Sequence, residues 1–218
     1  MKKIEIVLVD DHRLFREGVR NLLEQQADMT VVGEAENGRA ATDLVQTISP
    51  AVVVMDVTMP DLNGIHATRQ ILRAKPDIKV LALSMHAHRP LVRAMLEAGA
   101  SGYLLKDCAF DELTQAIHSV VEKNQMYLSP KISQMVLEDY LCPPRKREMT
   151  GILALTPRER EIAQLIAEGK MSRQIAVNMG ISVRTIEKHR LDIMQKLRIR
   201  TVAELVKYAI REGLTSPY

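Results

Sequence analysis

Three carboxylates, a hydroxyl and an ammonium stand at the ends of short apolar runs. Asp10 and Asp11 follow IEIVLV, Asp56 follows AVVVM, Ser84 follows KVLAL, and Lys106 follows SGYLL. In a parallel α/β sheet the carboxyl ends of the strands open onto one crevice, so these side chains would meet in one pocket. Their oxygens suit Mg2+, a hard cation that prefers octahedral oxygen ligands and keeps several waters. A carboxylate at Asp56 could attack phosphorus and form an acyl phosphate. Asp11 and Asp56 would hold the ion, the Thr58 backbone carbonyl would add a ligand, and Asp10 would act through a bound water. Lys106 would pair with one phosphoryl oxygen and Ser84 would hydrogen-bond another. Any one of these acids alone reads as an ordinary strand-end residue; it is their joint placement that points to phosphoryl chemistry.

The elements that must position them alternate. Residues 4–9, 30–35, 51–55, 79–83 and 101–105 read as strands, and most are continuous Val/Ile/Leu runs, as expected for strands covered on both faces. Helical stretches lie near 13–26, 38–48, 64–74, 88–98 and 110–123. This alternation predicts a doubly wound α/β fold with a five-stranded parallel sheet over residues 1–125. Residues 126–152 predict a connecting helix near 130–140 and then a linker at 141–152. In that linker Cys142-Pro143-Pro144 forbids helix and Arg145-Lys146-Arg147 stays hydrated. From 153 to 218 the pattern is all helical, with four helices near 157–167, 172–179, 183–197 and 202–212. Thr156-Pro157-Arg158-Glu159 is a helix start with the spacing of a capping box, and Gly169 and Gly180 punctuate the run.

The formal net charge of +3 hides an asymmetry. Residues 1–144 carry 15 Lys+Arg against 19 Asp+Glu, or −4, and residues 145–218 carry 15 against 8, or +7. An acidic front half and a basic tail mark the tail as a candidate for a polyanion. No apolar run approaches the roughly 18 residues of a membrane span, and Met-Lys-Lys is not followed by a signal-peptide core, so the chain reads as cytoplasmic, with no membrane partner. Cys108 and Cys142 read as free thiols in a reducing compartment. The six His residues show no metal-ligand spacing, and His86 and His88 read as solvated loop residues.

In the tail, SRQIAVNM, a turn at Gly180 and SVRTIEKHRLDIMQKL look like a helix-turn-helix. On a helical wheel Val183, Ile186, Ile193, Met194 and Leu197 share a face that would pack on Ile162, Leu165, Ile175 and Ala176. Arg184, Glu187, Lys188, Leu191 and Gln195 fall on another face, free either to enter a major groove or to stay solvated.

VLVDDH, VVVMDVTMPDLNG, ALS at Ser84 and GYLLKD together resemble a two-component receiver domain, over residues 1–125. LTPREREIAQLIAEGK, QIA, ISVRTIEKH and IMQKL resemble the LuxR-type helix-turn-helix of the NarL/FixJ class of response regulators, over about 150–213. The resemblance implies a flavodoxin-like receiver with Asp56 as phosphoacceptor, Asp10 and Asp11 as the acidic pair, and Ser84, Tyr103 and Lys106 as switch residues. Phosphorylated Asp56 would draw Ser84 inward. Tyr103 would then change rotamer and reshape the face of the fourth helix, fifth strand and fifth helix. Asp107 stands after Lys106 where many receivers have a cis-proline, so the geometry of that peptide is left open. Met171-Ser172-Arg173-Gln174 replaces a frequent Ser-Asn-Lys-Glu run, and Glu187 replaces a frequent lysine. Base preferences therefore do not carry over from lysine-bearing relatives.

The DNA-facing set is Arg173, Arg184, Thr185, Glu187, Lys188, Arg190 and Leu191. Glu187 could accept from a cytosine amino group, Leu191 could touch a thymine methyl, and Arg184 could read guanine or bind phosphate. Arg173, Lys188 and Arg190 suit phosphates. The resemblance implies that the last helix pairs with its copy in a dimer, with Val202, Val206 and Ala209 on the outer face. The expected activity is phosphorylation-controlled transcriptional regulation, with Mg2+ as cofactor. The expected partners are a sensor histidine kinase, double-stranded promoter DNA, a second copy of the chain and, as a further candidate, RNA polymerase. The chain is expected to be a phosphoacceptor rather than an enzyme, with self-dephosphorylation left open. The rivals are an aspartyl-nucleophile phosphatase or phosphotransferase, a DNA-binding protein with a passive receiver, and a protein-binding adaptor.

Overall fold

The structure, a computed structural model, describes residues 3–85, 87–108, 110–141, 155–212 and 214–215. His86 and the linker from Cys142 through Arg147 lie outside the described residues. Contacts divide the chain into two compact units, Met1–Pro143 and Pro144–Tyr218.

In the first unit β1 (Ile4–Val9), α1 (Arg13–Glu24), β2 (Met29–Ala35), α2 (Gly38–Ile48), β3 (Val52–Asp56), α3 (Gly64–Ala74), β4 (Lys79–Ser84), α4 (Arg89–Glu97), β5 (Gly102–Leu105) and α5 (Phe110–Val121) alternate as expected. Two further elements follow, β6 (Tyr127–Leu128) and α6 (Pro130–Leu141). The sheet has six strands in the order β2-β1-β3-β4-β5-β6, and every pair is parallel. The five-strand expectation is thus extended by one. The sixth strand has only two residues, Tyr127 opposite Gly102 and Leu128 opposite Tyr103, too few to show a period.

Strand side chains alternate between two cores, which explains the continuous apolar runs. Ile6, Leu8, Val52, Val54, Leu81, Leu83 and Leu104 pack with Val19 and Leu23 of α1 and Ile117 of α5. Val7, Val9, Val53, Met55, Val80, Ala82 and Tyr103 pack on the opposite face with residues of α2, α3 and α4. Ile132 of α6 is fully buried in that second core, and Met135 and Val136 pack against it. Residues 127–141 are therefore built onto this unit rather than hung from it.

The second unit holds α7 (Pro157–Ala167), α8 (Ser172–Met179), α9 (Val183–Leu197) and α10 (Val202–Arg211). The capping box at Thr156 and Glu159 forms as its spacing predicts, and Gly180 closes α8 in the left-handed region with φ 63°. Ile162, Leu165, Ile175, Ala176, Ile186 and Ile193 form its core with Leu205 and Ala209. Two expectations are corrected. Val183, in the first turn of α9, is exposed rather than packed. Ala209 is completely buried, because it lies one helical turn from Leu205 on the inward face of α10. It is therefore not an outer-face residue.

Gly64 opens α3 directly beneath Asp56. A Cβ there would run into the Asp56 carbonyl oxygen, well inside contact distance. Asn63 caps the same helix by accepting from the His66 amide at 3.1 Å. Gly64→Ala should therefore displace the connection that carries Asp56. The expected cost is about 2–3 kcal/mol, read as a fall of about 5–10 °C in the unfolding midpoint of the first unit. An unchanged midpoint would refute the close approach.

Candidate functional site

Parallel pairing brings the predicted side chains together. β1 lies between β2 and β3, and β4 lies between β3 and β5, so the carboxyl ends of β1, β3, β4 and β5 are adjacent. Lys106 Nζ lies 2.7 Å from Asp10 Oδ2 and 2.8 Å from Asp56 Oδ2. All three side chains are at most 5% exposed. The Lys106 ammonium also stands 4.8 Å from the Phe15 ring centroid, a cation–π distance. Its peptide to Asp107 is trans, as are all peptides among the described residues.

Burial raises Asp56 from 3.8 to about 6; Lys106 pulls it down and Asp10 pushes it up. The Thr58 amide donates to Asp56 Oδ1 at 3.2 Å. Burial also works against the charge of Lys106, but Asp56 and Asp10 outweigh it, and the pKa ends above its ordinary value. Ser84 is buried at the end of β4, and its side chain is hydrogen-bonded to that of Tyr103. Tyr103 is itself fully buried, and burial pushes its phenol up to about 12. Tyr103 is covered because β6 and α6 continue the sheet and core beyond β5.

The acidic group fits a hard divalent cation. One ligand atom each from Asp10, Asp11, His12 and Asp56 lies within 4.8 Å of the others. Asp11 Oδ1 is buried and receives no hydrogen bond, although His12 Nδ1 is 2.9 Å away. Asp10 is already committed, with Oδ1 accepting from the His12 amide at 2.9 Å and Oδ2 facing Lys106. Asp56 is engaged in the same pattern, Oδ1 by the Thr58 amide and Oδ2 by Lys106, so of the three acids it is Asp11 that presents a buried oxygen with no hydrogen bond. His12 is the residue that sequence reasoning missed. Its signal was its place directly after the acidic pair, and the absence of a second histidine nearby concealed it. Cys108, two residues from Lys106, is a free thiol, and burial raises its pKa to about 11.

In the second unit Arg184, Glu187, Lys188 and Leu191 of α9 are exposed together, as is Arg173 of α8. Leu191 is 69% exposed, an unusual position for a leucine unless something covers it. Arg190 and Thr185 are half-buried, and the Thr185 hydroxyl lies 2.8 Å from that of Ser182, the helix cap. The back of α9 is anchored to α7, with Lys196 Nζ 2.7 Å from both carboxylate oxygens of Glu159. Burial works against the Glu159 charge, but hydrogen bonds from Lys196 and Thr156 outweigh it and lower its pKa. On α10, Val202 packs partly on the core, Val206 is half-buried and Ile210 is exposed.

Residues 6–118 match the family of response regulator receiver domains, and residues 153–209 match the bacterial regulatory proteins of the luxR family. The transcriptional regulatory protein DegU of Brevibacillus brevis is 37% identical, over 97% of this chain and 94% of that protein. The response regulator ChrA of a heme-sensing two-component system is similar in structure, with a TM-score of 0.54 and 33% identity, over 98% of this chain and 100% of that one. RcsB of Salmonella enterica serovar Typhimurium, solved bound to the promoter rprA in the presence of phosphomimetic BeF3−, gives a TM-score of 0.67 and 25% identity, over 95% of this chain and 98% of that one.

The Asp56 pKa has a consequence for stability. A carboxyl whose folded pKa is raised holds its proton more tightly in the folded chain. Keeping Asp56 ionised therefore costs stability above about pH 6, and the cost fades as pH falls from 6 toward 4. Asp56→Asn removes it. In Mg2+-free buffer the variant should be stabilised on the order of 2 kcal/mol at pH 8, and clearly less at pH 5. A gain that does not change with pH in thermal unfolding would contradict this.

Proposed function

The chain belongs to the NarL/FixJ class of two-component response regulators, in which a receiver domain precedes a LuxR-type DNA-binding domain, and from that premise we propose that phosphoryl transfer to Asp56 controls promoter binding by α9. The observation that carries this reading is the buried Asp10–Lys106–Asp56 arrangement, with Lys106 within 2.8 Å of both carboxylates. A sensor histidine kinase is the donor. An Asp56 oxygen attacks phosphorus, the new O–P bond forms as the donor's P–N bond breaks, and the leaving imidazole takes up a proton. With a pKa of about 6, Asp56 is ionised at neutral pH yet more basic than an ordinary carboxylate, which favours attack. Asp11, Asp56 and the Thr58 carbonyl would hold Mg2+, which would supply positive charge to offset repulsion between carboxylate and phosphoryl oxygens. Lys106 follows the negative charge from the carboxylate to a phosphoryl oxygen, and Ser84 donates to another.

Ser84 carries the change to Tyr103, to which it is already hydrogen-bonded. From there the route leaves through α6. The Ser129 amide donates to the Tyr103 carbonyl at 3.0 Å, and Ile132 shares the buried core of Tyr103. Arg89, in the first turn of α4, forms ion pairs with Glu138 and Asp139 near the end of α6. A shift of the Ser84–Tyr103 pair thus acts on α4 and α6 together, and α6 leads into the linker. The shifted state favours dimerisation of the tail, with Val206 and Val202 of α10 facing the partner copy, and the recognition helices enter successive major grooves. RNA polymerase is the downstream partner. Among the described residues no helix is long and apolar enough to cross a membrane, and a cytoplasmic site of action suits a DNA-binding regulator.

Two measurements test this. Wild type and Asp56→Asn are incubated with Mg2+ and a small phosphodonor, and intact mass and DNA affinity are followed. One phosphoryl adduct in the wild type only, with tighter promoter binding, is expected; no adduct would end the reading. Arg89→Glu should take up phosphate normally but lose about two- to fivefold of the phosphorylation-dependent gain in DNA affinity, since exposed pairs contribute under about 1 kcal/mol each. Glu138→Arg with Asp139→Arg should restore the gain. A full gain in Arg89→Glu alone would remove α6 from the route.

A further inference from the structure

We propose that Ser172 is a specificity-determining residue, whose hydroxyl holds the Glu187 carboxylate in the orientation from which α9 reads a base. This rests on the reading of α9 as the groove-entering helix with Glu187 at a base edge. Ser172 is the first residue of α8, and its Oγ donates to Glu187 Oε1 on α9. The bond joins the two helices of the motif at the end where both would approach DNA.

A glutamate needs this help more than the lysine or arginine side chains around it. Glu187 is exposed, and its long side chain would otherwise sample several rotamers, each of which must be given up on binding. Its charge also faces a polyanion, so an imprecise placement brings repulsion without readout. A carboxylate has about four acceptor positions, and a single donor on Oε1 leaves Oε2 entirely available. A pinned acceptor-only group can accept from an amino group, cytosine N4 or adenine N6. It finds no partner in guanine O6 or N7, or in thymine O4.

The serine hydroxyl has one proton. It can serve Glu187 or a DNA phosphate, but not both, and this separates the proposal from a phosphate-contact role. Arg173, Arg184 and Lys188 remain exposed nearby for phosphates. The start of α8 does not need the Ser172 hydroxyl, because the Met171 amide donates to Gln174 Oε1 at 2.8 Å. Ser172→Ala should therefore fold normally.

The test uses the full-length protein as wild type, Ser172→Ala, Ser172→Thr and Glu187→Ala. Each is taken through selection from randomised duplexes, then titrated on the selected site and its single-base variants at several salt concentrations. Ser172→Ala should lose about two- to tenfold of the discrimination at the base pair where Glu187→Ala loses it, with unchanged salt dependence and unchanged affinity for random DNA. Ser172→Thr, which keeps the hydroxyl, should retain the discrimination. If Glu187→Ala relaxes no position, base reading by Glu187 is wrong and the role of Ser172 falls with it. If Glu187→Ala relaxes one position and Ser172→Ala leaves it intact, Glu187 reads the base unaided and only the Ser172 proposal is overturned. Uniform weakening of Ser172→Ala with a shallower salt slope would mark a phosphate contact instead, and would overturn it as well.

Discussion

The Lys106 ammonium between the Asp10 and Asp56 carboxylates is the interaction on which the first unit depends. Two buried carboxylates side by side repel, and each loses its hydration. Burial alone would leave Asp56 largely protonated, and a protonated acid is a poor nucleophile. Lys106 draws the pKa back down, but only to about 6. The pocket is thus held short of full compensation. That residual cost is what a divalent cation, and then a phosphoryl group, can relieve. A receiver that satisfied Asp56 completely would have little reason to accept phosphate.

The geometry needs a parallel sheet whose central strands are covered on both faces. Alternate residues of β1, β3 and β4 enter opposite cores, so neither face can shift register without exposing an entire row. That rigidity fixes the strand ends. Gly64 lets the chain after Asp56 fold back closely, where any side chain would collide with the Asp56 carbonyl. The edge of the sheet is treated differently. β6 has two residues, and α6 contributes Ile132 to the core but is tied near its end by exposed ion pairs from Arg89. The element leading to the tail is therefore well anchored at one end and weakly at the other, a reasonable place for a small free energy to act.

Much of this was legible in the residues. Strand ends carrying Asp10, Asp56, Ser84 and Lys106 announced the pocket because continuous apolar runs imply a parallel sheet, and a parallel sheet aligns its carboxyl ends. The start of α7 was legible because the capping box is a local hydrogen-bond pattern with fixed spacing. β6 was not, since two residues carry no period. The burial of Tyr103 was not either, because it depends on α6, which is distant in sequence. Val183 shows the limit of a helical wheel, and Ala209 the limit of choosing an outer face from a resemblance. The wheel says which residues share a face, but the packing of neighbouring helices decides which face is inward. Leu205 and Ala209 are one turn apart on α10, so the burial of one carries the other inward. His12 was not legible, because a single imidazole beside an acidic pair has no spacing that marks it and oxygen ligands alone suit a hard cation.

The second unit separates holding the recognition helix from reading with it. Lys196 and Glu159 join the back of α9 to the capped start of α7, and Glu159 is 5% exposed, so this pair sets the helix against its core. The exposed side of α9 carries Arg184, Lys188 and Leu191, together with Glu187, whose negative charge works against binding to any phosphate backbone. A carboxylate is tolerable on such a surface only if it returns more in discrimination than it costs in general affinity. That return requires an orientation fixed before DNA arrives, because one that DNA itself must impose is charged against binding. On the proposed reading, the basic residues would set how tightly the tail holds any duplex, and the one acidic residue among them would decide which duplex.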